Sequence, residues 1–284
     1  VHAVDLDGDN DVDVLGASFL EDRIVWWEND GSQGFTEHVI DNNFDAAQAV
    51  QAFDVDGDGD IDVLGAAFGT MSSGEATWWE NDGSQNFTEH TIDSGFYGGE
   101  ELSAIDLDED GDIDLFGAAY YADKISWWEN DGAENFTEHT IASAFDGTED
   151  VDVVDLDGDG DLDVIGVATL ASELAWWEND GNQNFTEHTI DSLFNGARGV
   201  EAVDLDGDLD IDIVGGAITD SIVWWENDGS ETFTRQSIWS PFSTADIVVA
   251  DLDGDEDVDI LGASDMSNEI MWWEQVCMDF PTCD

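Results

Sequence analysis

Positive charge is almost absent from this chain. Its 284 residues hold 4 Lys and Arg against 71 Asp and Glu, for a formal net charge of −67 at pH 7. Such a surface repels nucleic acid and anionic membranes, and Arg23, Lys124, Arg198 and Arg235 are too few to make a basic patch. Long apolar runs are missing too. No segment approaches the ~18 uninterrupted apolar residues of a membrane-spanning helix, so no membrane insertion is expected, and the chain opens on a strand pattern with no visible signal peptide. Cysteine is confined to Cys277 and Cys283, in the tail after the last repeat, where a disulfide is expected in an oxidising compartment. Two isolated thiols are the weaker candidate for a metal site. No Ser-His-Asp order, P-loop or His-Glu-x-x-His motif occurs, and no pair of carboxylates stands out as glycosidase-like, so an enzyme is not expected.

What the chain has in excess is aspartate at alternate positions. Six nonapeptides repeat one pattern. The first carries Asp5, Asp7, Asp9, Asp11 and Asp13, and the second Asp54, Asp56, Asp58, Asp60 and Asp62. The third carries Asp106, Asp108, Asp110, Asp112 and Asp114, and the fourth Asp155, Asp157, Asp159, Asp161 and Asp163. The fifth carries Asp204, Asp206, Asp208, Asp210 and Asp212, and the sixth Asp251, Asp253, Asp255, Asp257 and Asp259. Five like charges in so short a loop repel one another unless a hard cation sits among them, and a dense oxygen-only donor set suits calcium. About six calcium ions are expected, one per loop. They would bring the formal charge only to about −55. The excess acid beyond the loops suits a saline or cation-rich setting, where screening relieves self-repulsion. In the helix-loop-helix calcium loop a Glu closes the shell at position 12; here position 9 is always Asp and position 12 is never Glu. An alternating, β-branched segment follows each loop, as in VDVLGAS or IDIVGGA, so the loop belongs to a β-hairpin. At position 6, where a tight turn is needed, Leu209 and Glu256 replace Gly or Asn, and the fifth and sixth sites are expected to bind more weakly.

Successive loops start 49, 52, 49, 49 and 47 residues apart, a period that indicates propellers or arrays. Each period holds a strand, the acidic loop, a second strand, a third carrying Trp-Trp-Glu, an Asn-Asp-Gly turn signal and a fourth reading Phe-Thr-Glu-His. Four strands per period make a propeller blade. The expected fold is an all-β six-bladed β-propeller with a calcium loop between the first and second strands of each blade, over residues 1–276, followed by a short tail, 277–284. Adjacent residues of a strand point to opposite faces, so each Trp pair, such as Trp78 and Trp79, is expected to pack one ring on the preceding blade and one on the following blade. Gly16, Gly65, Gly117, Gly166, Gly215 and Gly262 of the second strands would leave room for them.

The acidic nonapeptide followed by Phe116-Gly117-Ala118-Ala119 resembles the FG-GAP, or VCBS-type, repeat of calcium-binding β-propellers, over nearly the whole chain from Val1 to about Glu274. The resemblance implies a cation in the loop between the first two strands of each blade. That family includes the headpiece of integrin α-subunits, fungal lectins and many secreted bacterial proteins. The proline of the FG-GAP signature is absent here, and the Trp-Trp-Glu-Asn-Asp-Gly block is a departure of its own.

Propellers carry unrelated activities on one scaffold, so function must be sought in what distinguishes this copy. The connections on the edge opposite the acidic loops diverge among the repeats, and divergence in an array points to the surface peculiar to the protein. Tyr97, Tyr120, Tyr121, Arg198 and Trp239 are the candidates for a ligand face there. His38, His90, His139 and His188 recur on outer strands too far apart to converge, so a solvated strand face is expected. Glu28, Glu80, Glu129, Glu178, Glu226 and Glu274 recur once per blade, as structural residues would. Asn86, Asn135 and Asn184 head N-glycosylation sequons at one repeat position. The last repeat has no Phe-Thr-Glu-His strand; either the Cys-bearing tail or a strand from a neighbouring chain would cover that edge, and an open edge invites self-assembly. The leading expectation is a non-catalytic, calcium-stabilised, extracellular or cell-surface propeller serving as a structural or adhesive module. The alternative is a carbohydrate-binding propeller, with a glycan or a surface protein as partner.

Overall fold

The computed structural model describes residues 1–219, 222–239, 243–244, 246–255, 257–264 and 266–274. The described elements are all strands. They fall in two compact units, Val1–Glu149 and Asp150–Asp284. In the first unit β1 (His2–Val4), β2 (Asp13–Ser18), β3 (Arg23–Asn29) and β4 (Phe35–Asp41) form one sheet. A second comprises β5 (Ala47–Phe53), β6 (Asp62–Thr70), β7 (Ser73–Asn81) and β8 (Phe87–Asp93), and a third β9 (Gly99–Ile105), β10 (Asp114–Ala119), β11 (Lys124–Asn130) and β12 (Phe136–Ser143).

The fourth sheet begins with β13 (Thr148–Val154), which crosses the unit boundary, and continues with β14 (Asp163–Ala168), β15 (Glu173–Asn179) and β16 (Phe185–Asp191). The fifth is β17 (Ala197–Val203), β18 (Asp212–Ala217), β19 (Ile222–Asn227) and β20 (Phe233–Trp239). The sixth has three described strands, β21 (Asp246–Ala250), β22 (Asp259–Ser264) and β23 (Glu269–Trp273). Every sheet is a meander whose strands pair in sequence order, the topology of a blade. The fold class is that of a six-bladed β-propeller.

The burial pattern explains why these residues choose these strands. β10, β14 and β18 are buried at all six positions, as strands covered on both faces must be, and after the opening Asp they are correspondingly continuous in Val, Ile, Leu, Phe, Gly and Ala. The tryptophans divide as expected. Trp26 of the first blade shares a core with Val63 and Trp79 of the second, while Leu64 and Trp78 of the second share the next core with Leu115 and Trp128 of the third. In the second unit Trp176 joins Trp225, and Trp224 joins Ile260 and Trp273. The room is made by glycine: a Cβ on Gly65 would lie 2.7 Å from the Trp79 ring, and one on Gly215 2.7 Å from the Trp225 ring.

The edge opposite the acidic loops is less divergent than expected. Phe44, Phe96, Phe145 and Phe194, one in each of the first four fourth-to-first connections, are all buried. Phe44 meets Trp79 edge-on at 4.9 Å, Phe96 meets Trp128 at 5.2 Å, and Phe194 meets Trp225 at 4.7 Å. These connections are wedges between blades, which the variable residues around each Phe conceal. The expected tail disulfide of Cys277 and Cys283, and any covering of the sixth blade by the tail, lie outside the described residues.

Candidate metal centres

Each nonapeptide links the first strand of its blade to the second and is shaped by its own carboxylates. Asp5 Oδ1 accepts the N–H groups of Gly8 and Asp9 at 2.9 and 3.1 Å, and its Oδ2 accepts that of Asn10 at 2.9 Å. Asp7 and Asp9 then accept from the N–H two residues ahead, at 3.2 and 2.9 Å. The fourth loop repeats these bonds, with Asp157 and Asp159 accepting from Asp159 and Asp161 at 3.0 and 2.9 Å. Such Asx turns hold the loop open and its remaining lone pairs inward.

Position 9 is a different kind of residue. Asp13, Asp62, Asp114, Asp163, Asp212 and Asp259 are all at most 1% exposed. One oxygen accepts the N–H of loop position 2, as Leu6 to Asp13 at 3.0 Å and Leu156 to Asp163 at 3.0 Å. In the first five blades the other oxygen accepts the N–H of the Asn that ends the third strand, at 2.8 Å from Asn29, Asn81, Asn130, Asn179 and Asn227 alike. That Asn returns a bond from its Nδ2 to the carbonyl of loop position 8, as Asn81 to Ile61 at 3.0 Å. The loop is thereby bolted to the strand that carries the tryptophans.

The carboxylates converge. Asp5, Asp7 and Asp13 bring oxygens within 4.8 Å of one another, as do Asp106, Asp108 and Asp114, Asp155, Asp157 and Asp163, and Asp204, Asp206 and Asp212; in the second loop the group is Asp54, Asp56 and Asp58. Two oxygens of these clusters, Asp54 Oδ1 and Asp106 Oδ1, are buried with no hydrogen-bond partner. An orphaned buried carboxylate oxygen is costly unless something positive sits against it. The donors are all hard oxygens, and a divalent cation of the calcium type fits them. Position 7 stands apart: a Cβ on Gly31 would lie 2.3 Å from Asp11 Oδ2, and the same relation holds for Gly83 with Asp60 and Gly181 with Asp161. Those carboxylates rest on the glycine of the Asn-Asp-Gly turn, and in an oxygen shell position 7 commonly contributes its carbonyl.

Electrostatics agree with this reading. Burial pushes the Asp62, Asp114 and Asp163 carboxyls up to about 6 and that of Asp212 to about 7, against the pull of the backbone N–H groups they accept. At position 3, burial and neighbouring aspartates raise Asp7, Asp56, Asp108, Asp157 and Asp206. Each loop holds ionised groups at a cost that a bound cation removes.

A family model for FG-GAP-like repeats matches residues 5–65, 54–117, 106–166 and 204–262, well over half of the chain. The chain belongs to the FG-GAP-like repeat family. The matched segments each run from one acidic loop to the second strand of the following blade. Among solved structures, BBS1N in complex with ARL6DN, from crystals soaked with lead, is 12% identical with a TM-score of 0.63, covering 96% of this chain and 78% of that one. The same complex soaked with mercury gives the same values. A presumptive gluconolactonase is also 12% identical, with a TM-score of 0.53 over 95% of this chain and 86% of that one. These likenesses concern the fold alone. No curated protein matches the sequence.

The remaining candidate residues of this FG-GAP-like chain divide as follows. The outer-strand histidines are clasps, contrary to the expectation of a merely solvated face. His38 stacks on Trp26 at 4.6 Å and 21°, and its Nε2–H donates to Glu28 Oε2 at 2.8 Å. His90, His139 and His188 repeat the arrangement on Trp78, Trp127 and Trp176, with Glu80, Glu129 and Glu178. Each of those glutamates holds its histidine over the tryptophan of the neighbouring strand. The sequon residues Asn86, Asn135 and Asn184 are exposed, and each donates from Nδ2 to the carboxylate four residues earlier, Asp82, Asp131 or Asp180. Tyr97, Tyr120 and Tyr121 come together in the first unit. Arg198 lies on β17 of the second unit, and Trp239 ends β20, its backbone in register with Ile222 and its side chain outside the described residues. Sequence reasoning missed the anchoring role of position 9, although Asp at that position in every loop marked it.

Proposed function

We propose that the protein is a non-catalytic, calcium-stabilised propeller that works outside the cell as a structural or adhesive module of a surface assembly. The observation that carries this reading is the set of repeated oxygen clusters, with buried, partnerless oxygens on Asp54 and Asp106. All-aspartate loops of this kind fill at the millimolar calcium of extracellular fluid. Among the described residues no helix is long and apolar enough to cross a membrane. Titration calorimetry on the intact chain should reveal about six calcium sites, and chelation should lower the melting temperature. Absence of heat at millimolar calcium, with melting indifferent to chelator, would sink the reading.

Self-association through the sixth blade belongs to the same proposal. Among the described residues no strand pairs with the outer edge of β23, so its backbone N–H and C=O groups offer a strand from a second chain the place that β4, β8, β12, β16 and β20 hold in the other blades. Negative-stain images in millimolar calcium should show regular assemblies that disperse on chelation. Monodisperse particles under both conditions count against this part of the reading.

A further inference from the structure

At the edge away from the acidic loops, the residue three places after the second-strand glycine is Phe19, Phe68 and Tyr120 in the first three blades, against Thr169 and Ile218 in the next two. In the first unit these residues form a row. Phe19 and Phe68 have ring centroids 5.8 Å apart, Phe68 and Tyr121 4.9 Å, Phe68 and Tyr120 6.2 Å, and Tyr120 and Tyr121 5.3 Å. The backbone pins the row in place. The Gly98 N–H donates to the Phe68 carbonyl at 3.0 Å, the Tyr120 N–H to the Gly98 carbonyl at 2.7 Å, and the Tyr121 and Ala122 N–H groups to the Tyr97 carbonyl at 3.1 and 3.0 Å. Gly98 adopts φ +74°, and a Cβ there would lie 2.6 Å from the Tyr121 nitrogen. The three blades are thus knitted along this edge, and the aromatic residues are presented on a rigid base.

The row is only partly spent on the core: Phe68, Tyr120 and Tyr121 are half-buried. Phe19 is 44% exposed, and Leu20 and Met71, in the same two hairpins, are 90% and 78% exposed. Around Tyr120, Glu149, Glu100 and Asp146 lie close enough to act on its hydroxyl, which burial and these carboxylates raise above the usual tyrosine value. An exposed apolar centre within an acidic rim is the anatomy of a docking surface. The ring planes are inclined to one another by 42–83°, so no two form the flat shelf on which a sugar ring stacks. Ring faces beside carboxylates favour cations, guanidinium above all. We propose that the Phe19–Phe68–Tyr120–Tyr121 row docks a protein partner whose contact face carries arginines and lysines around an apolar centre. Charge complementarity selects that partner: any acidic surface would be repelled by a chain with 71 acids and 4 bases. The inference gives the adhesive module its binding face without depending on the number of cations it holds.

The test uses the full chain in saturating calcium at about 0.15 M salt. The probes are a fluorescent peptide of alternating Arg and Leu, the same peptide with Glu for Arg, and one with Gln for Arg. Binding is expected for the Arg peptide alone. Phe68→Leu combined with Tyr121→Leu keeps the apolar volume and removes two ring faces, and the affinity should fall about tenfold, while Glu89→Gln on the outer strand β8 changes it less than about twofold. Wild-type affinity in the double variant, or equal binding of the Gln peptide, would overturn the proposal. Photo-crosslinking of the Arg peptide to the wild-type chain reads the site without a variant. Adducts are expected in the segments around 68–71 and 120–122, and adducts spread over the acidic nonapeptides would show diffuse charge attraction and refute it.

Discussion

Replacing Asp163 by asparagine separates its two duties, anchoring the loop and holding a cation. The side chain is 0% exposed, and its oxygens accept the N–H groups of Leu156 at 3.0 Å and Asn179 at 2.8 Å. Burial raises its pKa to about 6, roughly 2 units above an ordinary aspartate, so the ionised form costs the folded state about 3 kcal/mol at neutral pH without a cation. Asparagine removes that cost but turns an NH2 toward one of the two N–H donors, a loss of about 1–3 kcal/mol. In chelator the two effects offset, and the variant should unfold within about 2 kcal/mol of the wild type. In calcium at about 100 times the dissociation constant a filled site contributes about 2.7 kcal/mol, most of which Asp163→Asn forfeits. Urea unfolding followed by the fluorescence of the buried Trp176 and Trp177, with calcium and with chelator, measures both numbers. A variant destabilised equally under the two conditions would mean that position 9 anchors the loop and takes no part in holding a cation.

The same carboxyls predict an unusual pH dependence. With folded values of about 6 for Asp62, Asp114 and Asp163 and about 7 for Asp212, against about 3.9 unfolded, their protonation stabilises the fold fully below about pH 4 and that stabilisation is lost as pH rises through about 6–7. Calcium-free protein should therefore melt higher at about pH 5 than at about pH 7.5, and saturating calcium should flatten or reverse the trend; a chelated protein that loses stability on acidification contradicts this. Leu209 holds position 6 of the fifth loop at φ +82°, so Leu209→Gly should stabilise the chain by about 1 kcal/mol in thermal melts and tighten calcium binding there. Gly65→Ala would drive a methyl to 2.7 Å from the Trp79 ring, and a loss of about 1–3 kcal/mol in urea unfolding is expected. In the fifth blade Gln236 already bonds Glu226 at 3.3 Å in place of a histidine, so His139→Gln should cost less than about 1 kcal/mol and leave calcium titrations unchanged; a loss of calcium affinity would make the histidine more than a clasp.

The blades and their order were legible because the repeats stay in phase. Aspartates at alternate positions, the Trp-Trp pairs and the small residues after each strand glycine occur once per period, and the structure assigns them the hairpin loops and shared cores that the spacing implied. What escaped was what the repeat hides within apparent divergence. Phe44, Phe96, Phe145 and Phe194 each lie ten residues before the next acidic loop, yet the residues around them differ, and only their burial against the next blade reveals the wedge. The five aspartates of a loop looked equivalent as ligands. Burial and backbone partners divide them into an anchor at position 9, which in four loops also clusters with positions 1 and 3, and a carboxylate at position 7 that rests on a turn glycine. Alternation in sequence reports which face a side chain takes, not which backbone group it meets. The aromatic row was visible only in part: Tyr97, Tyr120 and Tyr121 stood out as tyrosines, whereas Phe19 and Phe68 were no more than members of the divergent connections until the rings were placed side by side.

The position-9 anchor also determines how far the effect of one cation can travel. In the second blade Asp62 joins loop position 2 to Asn81, two residues beyond Trp79. Trp79 belongs to the core shared with the first blade and Trp78 to the core shared with the third. A cation that orders this loop therefore steadies the strand on which two inter-blade cores depend, and in an array coupled between nearest neighbours that stabilisation spreads to both. Losing the second site should therefore weaken both neighbouring cores, read as a broader urea transition, rather than its own blade alone.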